Sequence, residues 1–249
     1  MAWRLSAFLR HSSRPQGGAG LARVLAFLIA VTFAGMGFLY QNSIHLPPNT
    51  LPWEPIDLNA PPNWIAHYQL NALTRDGAVC RTALARTSLG FVPLKDRRVD
   101  DACGFRNVVR ADKAPIEFVP HTTATCGLTA ALYWYQSALQ KAALEHLHSR
   151  LVRIDQLGTF ACRNVNSEAV GPRSEHATAN AIDVAAFHFA DGVTITVARD
   201  YDKPTPAGRF LNDAHASACE LFNTVLGPHY NQLHATHFHL DMGSYRVCS

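Results

Sequence analysis

The sequence predicts an α+β fold, a small antiparallel sheet flanked by helices, preceded by one N-terminal transmembrane helix. Two long stretches predict the main helices: 126–148 has apolar residues at helical spacing, and 206–226 lies between a turn and a Gly-Pro stop signal. Short alternating or β-branched segments predict strands at 151–155, 181–187, 193–197 and 237–241. Strands and helices distributed in this way along one chain favour helices packed on an antiparallel sheet.

The N-terminal segment predicts a membrane anchor. Residues 1–23 contain four arginines and no acidic residue, and the run 24–40 that follows carries no charge. A run of this length is at the short end of what spans a bilayer, and its basic flank places the tail 1–23 in the cytoplasm. A cleaved signal peptide is the alternative; we favour an uncleaved anchor because no clear small-x-small site follows the run.

Charge and cysteine content limit the function of the remainder. The tail holds four of the 22 basic residues and none of the 19 acidic residues, so the remaining chain has a formal charge of −1. This balance argues against a nucleic-acid-binding domain, which needs a basic face. Six cysteines without CxxC pairs predict disulfides in an oxidising compartment. Of the 15 possible pairings we expect Cys219–Cys248, which would tie the C-terminal tail to a helix.

The elements follow in order after the anchor. Residues 41–62 contain six prolines and are expected to form an extended linker, and 63–249 are long enough for one domain with a core. A short helix is expected at 63–73. A turn at Asp191-Gly192 would join the strands 181–187 and 193–197. The helix 206–226 follows a turn at Lys203-Pro204 and is expected to end at Gly227-Pro228.

Three histidines and one aspartate in the second half of the chain predict a zinc site with three ligands. His237 and His239 alternate on a predicted strand, so their rings would project to one side. His176 and Asp183 lie upstream, and a buried aspartate on an apolar strand needs a cation or hydrogen-bond donors. Two histidines and one carboxylate would leave an open fourth position, as in hydrolytic rather than structural zinc sites.

Individual residues of this set also have plainer interpretations. A lone HxH pair is commonly a pair of surface histidines, and Asp241 is as compatible with the surface as with a contact to a ligand ring. Histidines two apart in a strand cannot easily bind one zinc together, so one would coordinate and the other would stand over the open position. Arg163 could hold a substrate carboxylate or pair with a surface acid.

The ordered motifs resemble a known group of enzymes. The series Ser174-x-His176-x-x-Ala179-x-Ala181-x-Asp183 resembles the SxHxxGxAxD motif of D-Ala-D-Ala carboxypeptidase and lysostaphin-type zinc peptidases, and His237-x-His239 resembles their HxH. More specifically, residues 75–248 resemble the bacterial extensin-like C-terminal family. The similar stretches are Cys103-Gly104, Cys126, Phe160-x-Cys162-Arg163, Ser174-Glu175-His176 to Asp183, Cys219 and His237 to Asp241.

The resemblance implies a peptidase-like fold with zinc held by His176, Asp183 and His239. It implies a catalytic role for His237, and a substrate-binding role for Arg163 and Ser174. It implies peptidoglycan peptides as substrates. Together with the predicted anchor and the exported cysteine-containing part, this leads us to expect an inner-membrane protein with its C-terminal domain in the periplasm. The sequence departs from the motif at Ala179, where the peptidases usually have glycine. It also departs at Thr236, where the carboxypeptidase branch has a glutamate base.

Three hypotheses follow for the function. The first is a membrane-anchored periplasmic zinc peptidase that acts on peptidoglycan. The second is a non-catalytic zinc-bearing or wall-binding module on the same scaffold, suggested by Ala179 and Thr236. The third is a structural envelope protein stabilised by disulfides and without a metal.

Overall fold

The computed structural model describes residues 18–41 and 47–249, and the chain divides into two compact units, Met1–Pro47 and Pro48–Ser249. Residues 1–17 of the predicted tail and residues 42–46 of the predicted linker lie outside the described residues.

In the first unit, the described residues form helix α1 at Gly18–Gln41. Its stretch Gly20–Gln41 has 22 residues, none of them buried. At a rise of 1.5 Å per residue this stretch is about 33 Å long, compared with about 30 Å for the hydrocarbon core of a bilayer. Helix α1 is therefore long and apolar enough to cross a membrane, and it extends beyond the predicted run 24–40 at both ends.

The second unit is α+β, as predicted. Its helices are α2 (Ala66–Arg75), α3 (Gly77–Leu84), α4 (Cys126–Leu147), α5 (Val197–Asp200) and α6 (Pro206–Leu221). Its strands are β1 (Gly90–Pro93), β2 (Arg97–Asp100), β3 (Cys103–Phe105), β4 (Val108–Lys113), β5 (Glu117–Val119), β6 (Thr123–Thr125), β7 (Leu151–Gly158), β8 (Ala181–Phe189), β9 (Thr194–Thr196), β10 (Thr224–Leu226), β11 (Phe238–Asp241) and β12 (Val247–Cys248).

The main sheet has seven strands in the order β12-β10-β11-β8-β7-β5, and β9 pairs with β8. Four pairings are antiparallel, whereas β10–β12 and β5–β7 are parallel. The strands β1, β4 and β6 form a separate sheet, and β2 and β3 form a third. Strands β8 and β11 lie in the middle of the main sheet, where neighbours on both sides hold their backbones in place.

The helices α4 and α6 pack against each other and enclose the core with the main sheet. Helix α4 begins where the Thr125 hydroxyl accepts a hydrogen bond from the Leu128 N–H group at 3.3 Å. Its rings Trp134 and Tyr135 are almost fully buried, and the Tyr135 hydroxyl donates to the Ala214 carbonyl of α6 at 3.0 Å. The predicted helix 126–148 is therefore confirmed as the central helix of the core.

The predicted end of the helix 206–226 is wrong. Helix α6 ends at Leu221, Phe222 is extended, and Thr224–Leu226 form β10 between β11 and β12. The apolar residues of this segment fit a helix or a strand equally well, and pairing with two neighbouring strands determines the outcome. The helix expected at 63–73 lies at Ala66–Arg75, and the strand expected at 237–241 begins at Phe238.

Three disulfides lie within the second unit. They join Cys80 to Cys126, Cys103 to Cys162, and Cys219 to Cys248. The predicted pair Cys219–Cys248 is confirmed, and it joins α6 to the edge strand β12. The hairpin of β8 and β9 also has the predicted turn, in which Gly192 takes a positive φ of 87°.

Candidate metal centre

Strand pairing brings two of the predicted ligands together. Strands β8 and β11 are antiparallel, and His239 lies directly opposite Asp183 in their register. Directly opposed residues of an antiparallel pair point to the same face of the sheet. The His239 Nδ1 atom lies 2.9 Å from the Asp183 Oδ1 atom, although the two residues are 56 positions apart in sequence.

A short turn before β8 supplies the third residue. Glu175–Thr178 form one turn of 3-10 helix, which begins where the Ser174 hydroxyl accepts a hydrogen bond from the His176 N–H group at 3.3 Å. The turn ends at Ala179, which adopts the left-handed conformation with a φ of 55°. Glycine adopts this conformation without the strain that a Cβ atom causes. The turn places His176 beside β8 and β11.

The three side chains form a compact triangle of ligand atoms. The His176 Nε2 atom lies 3.2 Å from the His239 Nδ1 atom and 3.2 Å from the Asp183 Oδ1 atom, and 2.9 Å separate the last two. A tetrahedral zinc site with bonds of about 2.0–2.1 Å has ligand atoms about 3.3 Å apart. The observed separations are close to this value, and two imidazoles with one carboxylate are suitable zinc ligands. The residues therefore fit a zinc ion.

Asp241 contacts the candidate ligand His239 on the side of its ring that faces away from the triangle. Its Oδ2 atom lies 3.1 Å from the His239 Nε2 atom, and its Oδ1 atom accepts a hydrogen bond from the Gly243 N–H group at 2.8 Å. Carboxylates commonly hold the second ring nitrogen of a metal-bound histidine in this way, which fixes the orientation of the ring. The structure places Asp241 on this side of the ring, leaving Nδ1 to face the triangle.

The electrostatics of the triangle favour a cation. Burial alone would raise the pKa of Asp183, but hydrogen bonds from His176 and His239 hold it well below its usual range. Burial alone would lower the pKa of His239, but its hydrogen bonds to Asp183 and Asp241 raise it to about 9. The site thus holds the ionised Asp183 carboxylate beside a buried, protonated His239 ring, and a metal ion would compete with that proton for the ring nitrogen.

Two further histidines lie beside the triangle. The His237 Nε2 atom is 3.6 Å from the Asp183 Oδ1 atom, and the His234 ring lies 5.4 Å from the His237 ring and 5.8 Å from the His239 ring. Burial, together with the charge of neighbouring histidines, lowers the pKa of His237 and lowers that of His234 to about 4. Both imidazoles are therefore neutral at neutral pH and able to accept a proton.

Arg163 and Ser174, the two predicted substrate-binding residues, interact with the site in different ways. The Arg163 charge contributes to the low pKa values of His234 and His237, and its Nη1 atom donates weakly to the Ser167 hydroxyl at 3.4 Å. Ser174 is buried, and the contact of its hydroxyl is with the His176 backbone. A substrate contact of either residue stays a prediction.

Asn180 holds the turn in place and was not among the predicted site residues. Its Oδ1 atom accepts from the Thr125 hydroxyl at 2.7 Å, and its Nδ2 atom donates to the Glu175 carboxylate at 2.7 Å. The Met242 N–H group also donates to its backbone carbonyl at 3.2 Å. Asn180 thereby joins the turn that carries His176 to α4 and to the segment after β11. Its position inside the motif, between Ala179 and Ala181, was the available signal.

Among the described residues, two other groups offer possible metal ligands within a short distance of one another. One contains His215, Cys219 and Cys248, and the other contains Asp100, Cys103 and Cys162. All four cysteines are in disulfides, so their sulfur atoms are not available as thiolates. The group of His176, Asp183 and His239 has no such obstacle.

Comparison with known proteins gives one match. A family model described as "Extensin-like protein C-terminus" matches residues 78–249, which is more than half of the chain. No curated protein and no solved structure shows significant similarity to the chain. The matched residues include every residue of the ligand triangle and all six cysteines.

Proposed function

The chain belongs to the extensin-like C-terminal family, and we propose that it is a membrane-anchored zinc peptidase that acts on peptidoglycan peptides. The proposal extends the likeness of its motifs to the D-Ala-D-Ala carboxypeptidase and lysostaphin-type peptidases. The alternative hypotheses of a non-catalytic module and a purely structural protein make different predictions for metal content and cleavage.

The observation that carries the proposal is the ligand triangle. Three ligand atoms from His176, Asp183 and His239 lie 2.9–3.2 Å apart. Catalytic zinc sites have three protein ligands and one open position, whereas structural sites have four. Among the described residues, the group that contains these three has no fourth side chain of the kinds that ligate zinc.

A zinc ion held there would supply Lewis-acid chemistry, which polarises a peptide carbonyl and makes water easier to deprotonate. His237 is placed to act beside it. Its side chain is largely buried, with 12% exposed, and its lowered pKa keeps it neutral and able to accept a proton from an attacking water. After bond cleavage the same ring can return the proton to the leaving amine. Its position 3.6 Å from Asp183 keeps it within reach of the centre without making it a member of the triangle.

Substrate binding is assigned to Arg163 and Ser174. Arg163 lies close enough to the histidines to affect their titration, and its guanidinium can hold a peptide carboxylate by two parallel hydrogen bonds. Ser174 contributes through the turn, since its hydroxyl holds the backbone of His176.

Helix α1 and the disulfides support an envelope location. Helix α1 is long and apolar enough to span a membrane, and the basic residues before it orient the tail towards the cytoplasm. Three disulfides fit an oxidising compartment. We therefore place the protein in the inner membrane as a single-pass protein, with its C-terminal domain in the periplasm next to the wall.

The test uses the full chain in detergent. Bound metal is measured by elemental analysis, and peptidoglycan digests are separated by chromatography and mass spectrometry. The wild type should hold one zinc and release shortened wall peptides, and His239→Ala should lose both properties. His237→Gln should keep zinc but lose about a hundredfold or more in rate, because general acid–base catalysis contributes that much. His121→Gln, an exposed histidine outside the site, is the matched control.

Two outcomes would overturn the proposal. One is cleavage that survives in His239→Ala. The other is a wild type that holds zinc and sediments with the wall but leaves its peptides intact, which is the result expected for the non-catalytic module. Thr236 favours that second candidate, because it occupies an exposed position where the carboxypeptidase branch has its glutamate base.

A further inference from the structure

A large cleft lies on another side of the turn that carries His176. Its volume is about 1290 Å³, and none of the three candidate ligands lines it. The walls come from α2 and α3, the segment 93–108, the turn Glu175–Thr178 and the residues that follow β11. Small-molecule sites usually measure about 300–1,000 Å³, so this cleft has room for a segment of a polymer.

Four arginines line this cleft, namely Arg75, Arg81, Arg106 and Arg246. Arg81 donates to the Asn107 side chain at 2.6 Å. Among the described residues, the side chains of the other three make no hydrogen bond or ion pair. Guanidinium groups that face one cleft without carboxylate partners create a positive potential that attracts anions.

The two carboxylates of the cleft do not neutralise these arginines. The Asp96 Oδ1 atom accepts a hydrogen bond from the Asn107 N–H group at 3.0 Å, and the Glu175 Oε2 atom accepts one from the Asn180 side chain at 2.7 Å. Neither carboxylate contacts an arginine. The cleft therefore carries an excess of positive charge, and arginine is the side chain best suited to bidentate binding of carboxylates.

An aromatic platform lies beside the cleft. A smaller hollow of about 390 Å³ shares His67 and Arg246 with the cleft, and Trp64 and the carboxylate residue Glu220 also line it. The cleft and the hollow together have four arginines and three carboxylates, so an excess of one positive charge remains. The Trp64 ring is 86% exposed. An exposed indole offers a flat apolar face, with a polar edge, on which the C–H face of a sugar ring can lie.

We propose that the cleft and the hollow together bind an acidic glycan, a sugar polymer that carries carboxylates. The carboxylates would bind Arg75, Arg106 and Arg246, and a sugar ring would lie on Trp64. The free guanidinium groups account for the charge of the ligand, and the neighbouring indole favours sugar rings over an acidic peptide. This binding does not depend on the metal centre.

The first test measures binding to the full chain in detergent by calorimetry. The probe is a glycan strand of peptidoglycan from which the peptides have been removed, so that every second sugar carries a carboxylate. A chitin oligosaccharide of equal length has the same type of backbone without carboxylates and serves as the matched ligand. We expect the acidic glycan to bind at least about tenfold more tightly and to weaken as salt increases. Equal affinity for the two ligands would overturn the proposal.

Variants test the named arginines. Arg106→Gln and Arg246→Gln should each weaken glycan binding about three- to fivefold, in the range of exposed charge pairs. Arg209→Gln removes an exposed arginine of α6 that does not line the cleft, and it should leave binding unchanged. A loss in Arg209→Gln equal to that in the cleft variants would show that only the total charge matters, and it would overturn the site.

The two exposed tryptophans of the same segment test the platform. Trp64→Ala should weaken glycan binding, whereas Trp53→Ala should not, because Trp53 is 77% exposed but does not line the hollow. Polyglutamate should bind less tightly than the glycan and be insensitive to Trp64→Ala. Equal binding of polyglutamate would identify the cleft as a site for acidic peptides and overturn the glycan proposal.

The cleft and the proposed peptidase activity can fail separately. A chain that cleaves wall peptides but does not bind the peptide-free glycan would refute the cleft proposal alone. A chain that binds the glycan but leaves wall peptides intact would refute the peptidase alone.

Discussion

Replacing Asp183 with asparagine should remove the part of the stability that depends on zinc. Asparagine has nearly the same shape but lacks the negative charge that the proposed zinc site draws from Asp183. Its oxygen can still accept hydrogen bonds from the His176 and His239 rings, which lie 3.2 and 2.9 Å from the Asp183 Oδ1 atom. The variant should therefore fold, have a lower melting temperature than the wild type without zinc, and show little increase in melting temperature when zinc is added.

The expected sizes follow from the contacts. Hydrogen bonds to a charged acceptor contribute about 1 kcal/mol more than neutral ones, so two of them account for roughly 2 kcal/mol. A zinc concentration 100 times the Kd adds about 2.7 kcal/mol to a folded state that alone binds the ion. In a unit the size of Pro48–Ser249, 1 kcal/mol shifts Tm by about 2–4 °C. The variant should therefore melt about 4–8 °C below the wild type, and zinc should raise the wild type alone by about 5–11 °C.

The assay is thermal unfolding followed by circular dichroism, with and without zinc, after treatment with a chelator. The matched control is Asp155→Asn. Asp155 also pairs with a histidine of β8, since its Oδ2 atom lies 2.6 Å from the His188 Nε2 atom, but this pair is outside the triangle. Asp155→Asn should keep the full response to zinc. A zinc shift that survives in Asp183→Asn, or is absent from the wild type, would refute the assignment of the ligands.

Three further predictions concern other parts of the chain. Replacing both Cys219 and Cys248 with serine opens a link that spans 29 positions, and loop-closure entropy predicts a loss of about 3.6 kcal/mol in denaturant unfolding; a loss below about 1 kcal/mol would contradict this account. Burial lowers the pKa of His215, so below about pH 6.5 the unfolded state binds more protons than the folded state does. The contribution of His215 to the free energy of unfolding is therefore complete above that pH and should decline as the pH falls below it. His215→Gln should reduce the decline in the free energy of unfolding between pH 7.5 and 5. An unchanged decline would show that other groups cause the pH dependence. The double variant Leu28→Arg with Phe33→Arg should move the chain from the alkali-resistant membrane fraction to the soluble fraction, since each arginine costs about 2.5–3.5 kcal/mol at the bilayer centre; retention in the membrane would exclude α1 as the anchor.

The elements with one dominant local signal could be predicted from the sequence. Helix α4 combines alanine and leucine with helical spacing and no internal proline, and β8 is a β-branched and apolar segment next to a glycine turn. Residues 222–226 lack such a signal. Their apolar side chains suit a helix and a strand, and only the pairing of β10 with both neighbours determines their structure. The edge strand β12 was missed for the same reason.

The same distinction applies to the sites. The motif spacing was enough to nominate His176, Asp183 and His239, because each lies in a recognisable local pattern. Their separations of 2.9–3.2 Å depend on the register of β8 and β11, which could not be predicted from the sequence pattern. The arginine cleft had no sequence signal. Its arginines come from segments far apart in the chain, and only the packing of α2 and α3 against the residues after β11 brings them together.

The register of β8 and β11 has a consequence for quality control during folding. Phe238 and Leu240, which flank His239, are fully buried in the core. A slip of one residue would turn an apolar side chain towards Asp183 and drive His239 into the core. Misassembled molecules of this kind could be compact and fully oxidised, yet they would lack the proposed zinc site. With the proposed zinc site, metal content per molecule would therefore measure the fraction of chains that have paired these two strands correctly.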